Sequence, residues 1–420
     1  MSENRIWQVG RAAVLRSYTD PRFKTMKVSV NMLLPLKQET AALYGILPSL
    51  VTRATREYPD FASLNRKLSK LYGASLRSGV RKIGEFQCLT LAADGISSRY
   101  AFGGDNMFAE LSGLLFSALF SPLTDAAGLF PEENFRQEQR QLLELKDAEF
   151  SDKITYAHQR CEELLFAGQS AGVDRYGSKE EIAGLDRAKL TKAWNEVLSS
   201  ARFEIFVLGD CEPSPELFQE KFSQVGMPHI LRAAPFVRPQ ALKKEIETQA
   251  VTQSKLSMGF RADALPEESP LFQLMNAVFG GTPSSKLFQH VREKMGLCYY
   301  CSSLYAVSAR ALFVESGVET ENLEQAEEEI LQQLREMQEG HISEEELLSA
   351  KLRLCDSFRS VGDSLSAVET WNLGQTFSET PVTPEEAVER VMGYSKEQVT
   401  EAAQKLVPAV VYRLKGSENG

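Results

Sequence analysis

Apolar and polar positions along the chain predict a strand followed by a helix, and this order occurs twice. The run Met26–Leu36 has alternating β-branched residues and closes at Pro35, which is typical of a β-strand. Lys255–Phe260 alternates in the same way and precedes a helical pattern at Leu271–Phe279. After the first strand, apolar residues recur every three to four positions, as on one face of a helix; they are Leu43, Ile46, Leu50 and Ala54.

A second repeated unit is a helix that leads into a short apolar strand ending at glycine. The predicted N-cap residues of the two helices are Asp186 and Ser395, and the glycines that close the strands are Gly209 and Gly416. The two copies lie about half the chain length apart, as expected after a duplication. The pattern therefore predicts an α+β fold of two homologous domains, each a sheet packed with helices.

The region Gly226–Gln249 contains three prolines and no sustained apolar period, as expected of a linker. We therefore expect an N-terminal domain over residues 1–225, a linker over 226–249 with the boundary near residue 235, and a C-terminal domain over 250–420.

Composition narrows the class of partner. The chain has 420 residues, of which 43% are hydrophobic and 25% charged, so it is expected to fold into compact domains. Its formal net charge of -10 opposes binding to nucleic acid or to an anionic membrane. Because the start MSENRIWQVG lacks an apolar signal core and no run approaches the roughly 20 apolar residues of a membrane span, we expect a cytoplasmic protein.

Histidine and cysteine are too sparse to indicate a metal centre. The four histidines are His158, His229, His290 and His341, and no two have the helical spacing of a two-histidine zinc site. A site from His158, Cys161 and Glu162 has helical spacing but lacks a fourth ligand. Cys298 and Cys301 form a C-x-x-C within a predicted strand, which we interpret as two ordinary reduced, half-buried cysteines.

The segment at residues 280–305, GGTPSSKLFQHVREKMGLCYYCSSLY, carries a family resemblance. It is similar to a segment of the pitrilysin/insulinase superfamily, in the branch of the mitochondrial and bacterial processing peptidases. The matching residues are Gly280, Gly281, Ser284, Ser285, Lys286, Leu287, Phe288, Val291, Arg292, Glu293, Lys294, Gly296, Leu297 and Tyr299. Weaker similarity covers nearly the whole chain. The grouping that the chain resembles most includes bacterial peptidase-like proteins associated with aminopentanol modification of elongation factor P.

The resemblance implies a clamshell of two domains and a role for two residues. In the family, the Arg and Tyr of this segment help to position a peptide carbonyl where negative charge develops. Arg292 and Tyr299 are the corresponding residues here, and a charged guanidinium and a phenolic donor suit that role. The alternative is that Arg292 is a solvated helical residue and Tyr299 a packed strand aromatic.

The first domain departs from the family pattern where zinc would bind. Family members carry His-x-x-Glu-His just beyond a glycine, with the two His as zinc ligands and the Glu as general base. Alignment on Gly45 places Pro48, Val51 and Thr52 at these positions, and none supplies the chemistry. For the family's third ligand, a glutamate on a later helix, the best counterpart is Glu144 and the second is Glu138.

These observations predict a chain that does not catalyse alone and carries no metal or other cofactor. We expect the substrate-positioning partner of a zinc-bearing paralogous subunit, acting on unstructured peptides, with Arg292 and Tyr299 contacting the substrate. One alternative is a scaffold that binds peptide or protein without hydrolysis. A stand-alone peptidase that uses a displaced metal or a thiol is a further alternative.

Overall fold

The structure is a computed structural model that describes residues 3–227 and 235–417; His229 lies outside these residues. The chain divides into two compact units. The first contains the described residues up to Asp147 and those from Val173 to residue 227. The second contains Ala148–Gly172 and the residues from 235 onward.

The first unit is a six-stranded sheet with helices. Its strands are β1 Glu3–Gly10, β2 Ala13–Thr19, β3 Thr25–Pro35, β4 Ser75–Ile83, β5 Phe86–Ile96 and β6 Arg202–Gly209. Its helices are α1 Gln38–Gly45, α2 Leu47–Arg53, α3 Phe61–Lys70, α4 Met107–Phe120, α5 Glu132–Ala148, α7 Lys179–Ala183, α8 Arg187–Ser200 and α9 Pro215–Phe222. The strand order is β1-β2-β6-β3-β5-β4, with β2 and β6 parallel and the other neighbours antiparallel.

The second unit is a five-stranded sheet with helices. Its strands are β7 Lys243–Gln249, β8 Ser254–Ala262, β9 Cys298–Ala306, β10 Ala311–Val318 and β11 Leu406–Gly416. Its helices are α6 Lys153–Leu165, α10 Ser269–Phe279, α11 Leu323–Gln338, α12 Glu344–Arg359, α13 Leu365–Gly374, α14 Pro384–Gly393 and α15 Lys396–Gln404, with a π-helical segment at Leu287–Lys294. The strand order is β7-β11-β8-β10-β9, and only β7 and β11 run parallel among the described pairs.

The two sheets share one topology, which confirms the predicted α+β fold of duplicated domains. The order β2-β6-β3-β5-β4 of the first sheet matches β7-β11-β8-β10-β9 of the second, strand by strand and with the same directions. Strand β1 is an addition at the edge of the first sheet. Residues 243–249, the last part of the predicted linker, instead form β7 and pair in parallel with β11.

The capping residues predicted from the sequence begin two of the observed helices. Asp186 caps α8 by accepting a hydrogen bond from the Ala188 N–H, and Ser395 and Gln398 form the predicted capping box of α15. The helix expected after β3 is instead two helices, α1 and α2, separated at Ile46. Pro48 accounts for the break, because it has no N–H to donate to the carbonyl four residues earlier.

Helix α6 comes from the first half of the sequence but belongs to the second unit. Its buried residues Ala157, Cys161 and Leu165 pack with apolar residues of β10 and β11. Gly259 of β8 allows this close approach, since a Cβ there would lie 3.1 Å from Leu165 Cδ2 and 3.3 Å from Cys161 Sγ. The second sheet is therefore covered on both faces, by α6 on one and by helices such as α10 and α11 on the other.

None of the helices in the described residues combines the length and the apolar composition needed to cross a membrane.

Candidate functional site

The three positions that the resemblance aligns with the family's zinc motif lie on α2, and two of them are packing residues. Pro48 and Val51 are buried in the core of the first unit. The Thr52 hydroxyl donates to the carbonyl oxygens of Pro48, at 2.8 Å, and Ser49, at 3.2 Å. None of the three is a usual zinc ligand, because two side chains are hydrocarbon and a neutral threonine hydroxyl is a poor ligand compared with imidazole.

A pocket of about 160 Å³ lies beside Pro48, between α2, β4 and α5. Glu138 lines this pocket and is buried, and its Oε1 accepts a hydrogen bond from Arg53 Nη1 at 2.7 Å. Arg53 also donates to the side chain of Gln137. Where a zinc ligand would be expected, the carboxylate is thus neutralised by a guanidinium from the end of α2.

The two candidates for the third ligand lie on different faces of α5. Glu138 faces the pocket, whereas the Glu144 side chain is 67% exposed and its Oε1 lies 3.8 Å from Arg140 Nε. The structure therefore brings Glu138, and not Glu144, beside positions 48, 51 and 52. A single carboxylate, already paired with Arg53, does not fit the zinc that the resemblance implies.

Gly45, on which the motif was aligned, is required by close packing. A Cβ at Gly45 would lie 3.0 Å from Tyr176 Cδ1 and 3.3 Å from the Arg175 carbonyl oxygen. Gly177, with a φ of +70°, packs equally tightly against Ala42 of α1. These glycines are therefore explained by the packing of the loop before α7 against α1, without reference to catalysis.

The alternative metal set is not brought together. His158 Nδ1 lies 2.9 Å from Glu315 Oε1, and Cys161 is fully buried against the sheet, where burial raises the pKa of its thiol. Among the described residues, the group of three potential ligands within 4.8 Å of one another is Glu336, Glu339 and His341 at the surface. Such exposed acidic groups are common without a metal, and Glu336 and His341 already pair at 2.7 Å.

Much of the segment at residues 280–305 is used by packing. A Cβ at Gly280 would lie 2.6 Å from both Leu287 Cδ1 and Ser303 Oγ. Lys286 is buried, with its Nζ 2.9 Å from Glu346 Oε1 on α12, and Leu287 and Val291 are in the core. These family-like residues therefore serve the fold, which leaves the exposed ones to be explained.

Arg292 lies on the π-helical segment, and its side chain is 40% exposed. Its guanidinium carbon is 4.6 Å from the centroid of the Phe288 ring, one turn earlier. Its ion-pair partner within the described residues is the neighbouring Glu293, at 3.6 Å. A stacked guanidinium with a weak exposed partner keeps N–H groups available to a ligand.

Tyr299 lies on a β-bulge of the edge strand β9. Gly296, at a φ of +63°, ends the π-helical segment and turns the chain into β9. Tyr300 pairs with Gly317 and Cys298 pairs with Val318, so Tyr299 has no partner on β10. The side chain of Tyr299 is 68% exposed. It is therefore not the packed strand aromatic of the alternative interpretation, and bulges commonly redirect a side chain in this way.

The bulge also changes the interpretation of the C-x-x-C. Residues three apart in a regular strand face opposite sides, but here the bulge sets Cys298 opposite Val318 and Cys301 opposite Ser316, so both side chains lie on the same face of β9. The neighbouring Cys301 thiol, together with Ser316 and the charge of Arg292, lowers the pKa of Cys298 to about 7. The neighbouring Cys298 thiol and burial raise the pKa of Cys301. Apolar periodicity along β9 does not reveal the bulge, so the sequence alone does not predict that Cys298 and Cys301 share a face.

Comparisons with known proteins agree with the fold and with the altered site. A family model described as peptidase M16 inactive domain matches residues 184–354. The probable inactive metalloprotease YmfF of Bacillus subtilis (strain 168) is 26% identical over 405 residues, which cover 94% of each chain.

Solved structures cover nearly the whole chain. A conserved protein from Enterococcus faecalis V583 matches with a TM-score of 0.88 at 26% identity, covering 99% of each chain. A peptidase M16 inactive domain from Pseudomonas fluorescens shares the fold, with a TM-score of 0.80 at 15% identity over 99% of this chain and 98% of that one. The chain is therefore similar over residues 184–354 to the M16 inactive domain, and over nearly its whole length to a probable inactive metalloprotease and to solved structures with the same fold, in line with the resemblance to the pitrilysin/insulinase superfamily.

Proposed function

We propose that this protein is the substrate-positioning partner of a zinc-bearing M16 subunit in peptide hydrolysis. In this role Arg292 and Tyr299 bind the carbonyl oxygen of a peptide whose cleavage uses the other chain's zinc. The observation that carries the proposal is that both side chains are accessible to a ligand, Tyr299 at 68% and Arg292 at 40% exposure, whereas Lys286, Leu287 and Val291 of the same segment are buried.

The chemistry of the pair supports the assignment. A tetrahedral intermediate of amide hydrolysis places negative charge on the former carbonyl oxygen. The Arg292 guanidinium supplies positive charge and N–H donors, and the Tyr299 hydroxyl supplies an O–H donor. Donors of this kind contribute most when they bind the charge of the transition state more strongly than the ground-state carbonyl.

The first unit gives separate support for a division of roles between two subunits. Positions 48, 51 and 52 lack zinc ligands and a general base, and Glu138 is paired with Arg53. If the chain takes part in hydrolysis, the metal and the base must therefore come from another subunit. No step of the reaction is assigned to the first unit.

The test is reconstitution with a zinc-bearing paralogue from the same genome. The two chains would be mixed, complex formation measured by size-exclusion chromatography with light scattering, and cleavage of an unstructured fluorogenic peptide recorded. We expect activity from the mixture and none from this chain alone. Arg292→Ala and Tyr299→Phe should each lower kcat/KM by about 10²-fold, while the complex still forms.

Matched variants separate a specific role from a general loss of charge or hydroxyl. Arg359→Ala removes an exposed arginine of α12, and Tyr100→Phe alters an exposed tyrosine of the first unit; both should leave kcat/KM unchanged. Equal activity of the Arg292→Ala mixture would contradict the proposal. A stable complex that binds the peptide without cleaving it would instead favour the non-hydrolytic scaffold.

A further inference from the structure

The start of β9 brings together two thiols with different access to solvent. Cys298 is the first residue of the strand and is half-buried, whereas Cys301 is 3% exposed within the core of the second unit. The bulge at Tyr299 sets Cys298 opposite Val318 and Cys301 opposite Ser316, so both thiols lie on the same side of the strand. A reagent in solution can therefore reach Cys298 directly, whereas Cys301 is shielded by the core.

The surroundings of Cys298 favour its thiolate form. The Cys301 thiol and the positive charge of Arg292 both act on it, the second because the turn at Gly296 folds the π-helical segment back toward β9. The Leu297 N–H donates to the Val291 carbonyl oxygen at 3.1 Å and fixes this return. A neighbouring cation and a second thiol in a C-x-x-C motif are features that distinguish reactive cysteines from inert buried ones.

We propose that Cys298 and Cys301 form a thiol-modification site, in which Cys298 attacks a low-molecular-weight disulfide and Cys301 resolves the product. This goes beyond the proposed function, since it requires neither a partner subunit nor a peptide.

The chemistry is thiol–disulfide exchange in two steps. The Cys298 thiolate attacks one sulfur of the small disulfide, whose S–S bond breaks and releases one thiolate, which takes a proton from water. Cys301 then loses its proton and attacks Cys298 Sγ, the mixed disulfide breaks, and the second small thiol leaves. The two protein sulfurs are oxidised, and the two sulfurs of the small disulfide are reduced.

The chain contains a matched control thiol. Cys211 is also half-buried, but burial raises its pKa to about 12, and it has no cysteine within three positions in the sequence. Cys211 and Cys298 are both half-buried, so a difference in their rates of alkylation reports the surroundings of each thiol. Cys88, Cys161 and Cys355 are buried and serve as unreactive references.

The experiment treats the reduced full chain with iodoacetamide at pH 7 and follows each cysteine by peptide mass spectrometry. We expect Cys298 to be alkylated on the order of tenfold faster than Cys211. In a separate, unalkylated sample of the reduced chain, oxidised glutathione should convert the pair to a Cys298–Cys301 disulfide, with little glutathione retained on the chain. Equal alkylation of Cys298 and Cys211 would overturn the proposal.

Two variants test the order of the steps. In Cys301→Ser the mixed disulfide should accumulate on Cys298, because the resolving thiol is absent. In Cys298→Ser the buried Cys301 should remain unmodified. A stable glutathione adduct on Cys298 in the unaltered chain, or direct modification of Cys301 in Cys298→Ser, would refute the assigned roles. Circular dichroism of each variant confirms that the fold is retained.

Discussion

Arg53 donates a hydrogen bond through Nη1 to Glu138 Oε1 at 2.7 Å, which joins the end of α2 to a buried carboxylate of α5. Arg53 follows the three positions of α2 that were predicted to correspond to the zinc motif, and Glu138 lines the pocket beside Pro48. A buried carboxylate near the motif would be unstable without a positive partner. The arginine supplies that partner, so the ion pair belongs to the stability of the first unit.

Arg53→Ala should destabilise the first unit, because it leaves the buried Glu138 carboxylate without its cation. We expect a loss of about 2 kcal/mol in the free energy of unfolding, below the range for fully buried pairs, since Arg53 is partly exposed. Urea unfolding followed by fluorescence measures the change. Glu144→Ala is the control, and this exposed residue should alter stability by less than about 0.5 kcal/mol. An Arg53→Ala protein as stable as the control would contradict this account.

Zinc should not bind tightly to this chain. Positions 48, 51 and 52 offer no imidazole or carboxylate, so protein purified without chelator should contain far less than about one zinc per chain. Inductively coupled plasma mass spectrometry measures the content. A zinc-bearing paralogue purified in parallel controls for metal loss during handling. Stoichiometric zinc in this chain would show that another donor set exists.

Gly280→Ala should destabilise the second unit through crowding. The added Cβ would lie 2.6 Å from Leu287 Cδ1 and 2.9 Å from the Ser303 backbone nitrogen, and the backbone cannot yield easily. The expected cost is about 1 to 3 kcal/mol in the free energy of unfolding. Gly374→Ala, at the end of α13, meets nothing within 4 Å and should be neutral or slightly stabilising. Urea denaturation compares the two, and equal midpoints would refute the packing argument.

Stability should depend on the protonation of Glu315. Burial raises the pKa of this carboxyl group, against the opposing effect of hydrogen bonds from His158 and Ser257. Because the folded pKa exceeds the unfolded value of about 4.3, the folded state holds the proton more strongly. The resulting contribution is fully present below pH ~4 and is lost as pH rises through the folded pKa.

Glu315→Gln removes this titration while retaining a side chain able to hydrogen bond. The free energy of unfolding of the unaltered protein should therefore fall relative to that of Glu315→Gln as pH increases from about 4 to 8. Urea midpoints at intervals across this range provide the measurement. Parallel curves for the two proteins would show that Glu315 does not carry the effect. Glu144→Gln, an exposed glutamate, serves as the control.

The Arg292→Lys variant should not give the reconstituted mixture the full kcat/KM of the unaltered protein. Lysine keeps the charge but loses the planar fork and the stacking on Phe288, so we expect kcat/KM to be only partly restored relative to Arg292→Ala. Peptide cleavage by the mixture, with kcat and KM determined separately, measures the difference. If Lys and the unaltered Arg give equal rates, charge alone is sufficient and the geometric part of the proposal fails.

The sequence by itself determined the features that depend on neighbouring residues. The caps at Asp186 and Ser395 and the strand around Met26–Leu36 were predictable, because side-chain capping and apolar periodicity act over a few positions. The absence of imidazole and carboxylate groups at positions 48, 51 and 52 is read directly from the sequence, whereas the correspondence of these positions to the family's zinc motif stays a prediction.

The tertiary structure decided what depends on pairing between distant residues. Placement of α6 on the second sheet, the pairing of β7 with β11 and the Arg53–Glu138 contact all join segments whose local patterns do not specify a partner. The bulge at Tyr299 has the same origin, because register is set by the ladder with β10 and not by β9 alone. A shift of one residue in that ladder exposes Tyr299 and brings Cys298 to Cys301, and such a shift leaves no trace in apolar periodicity.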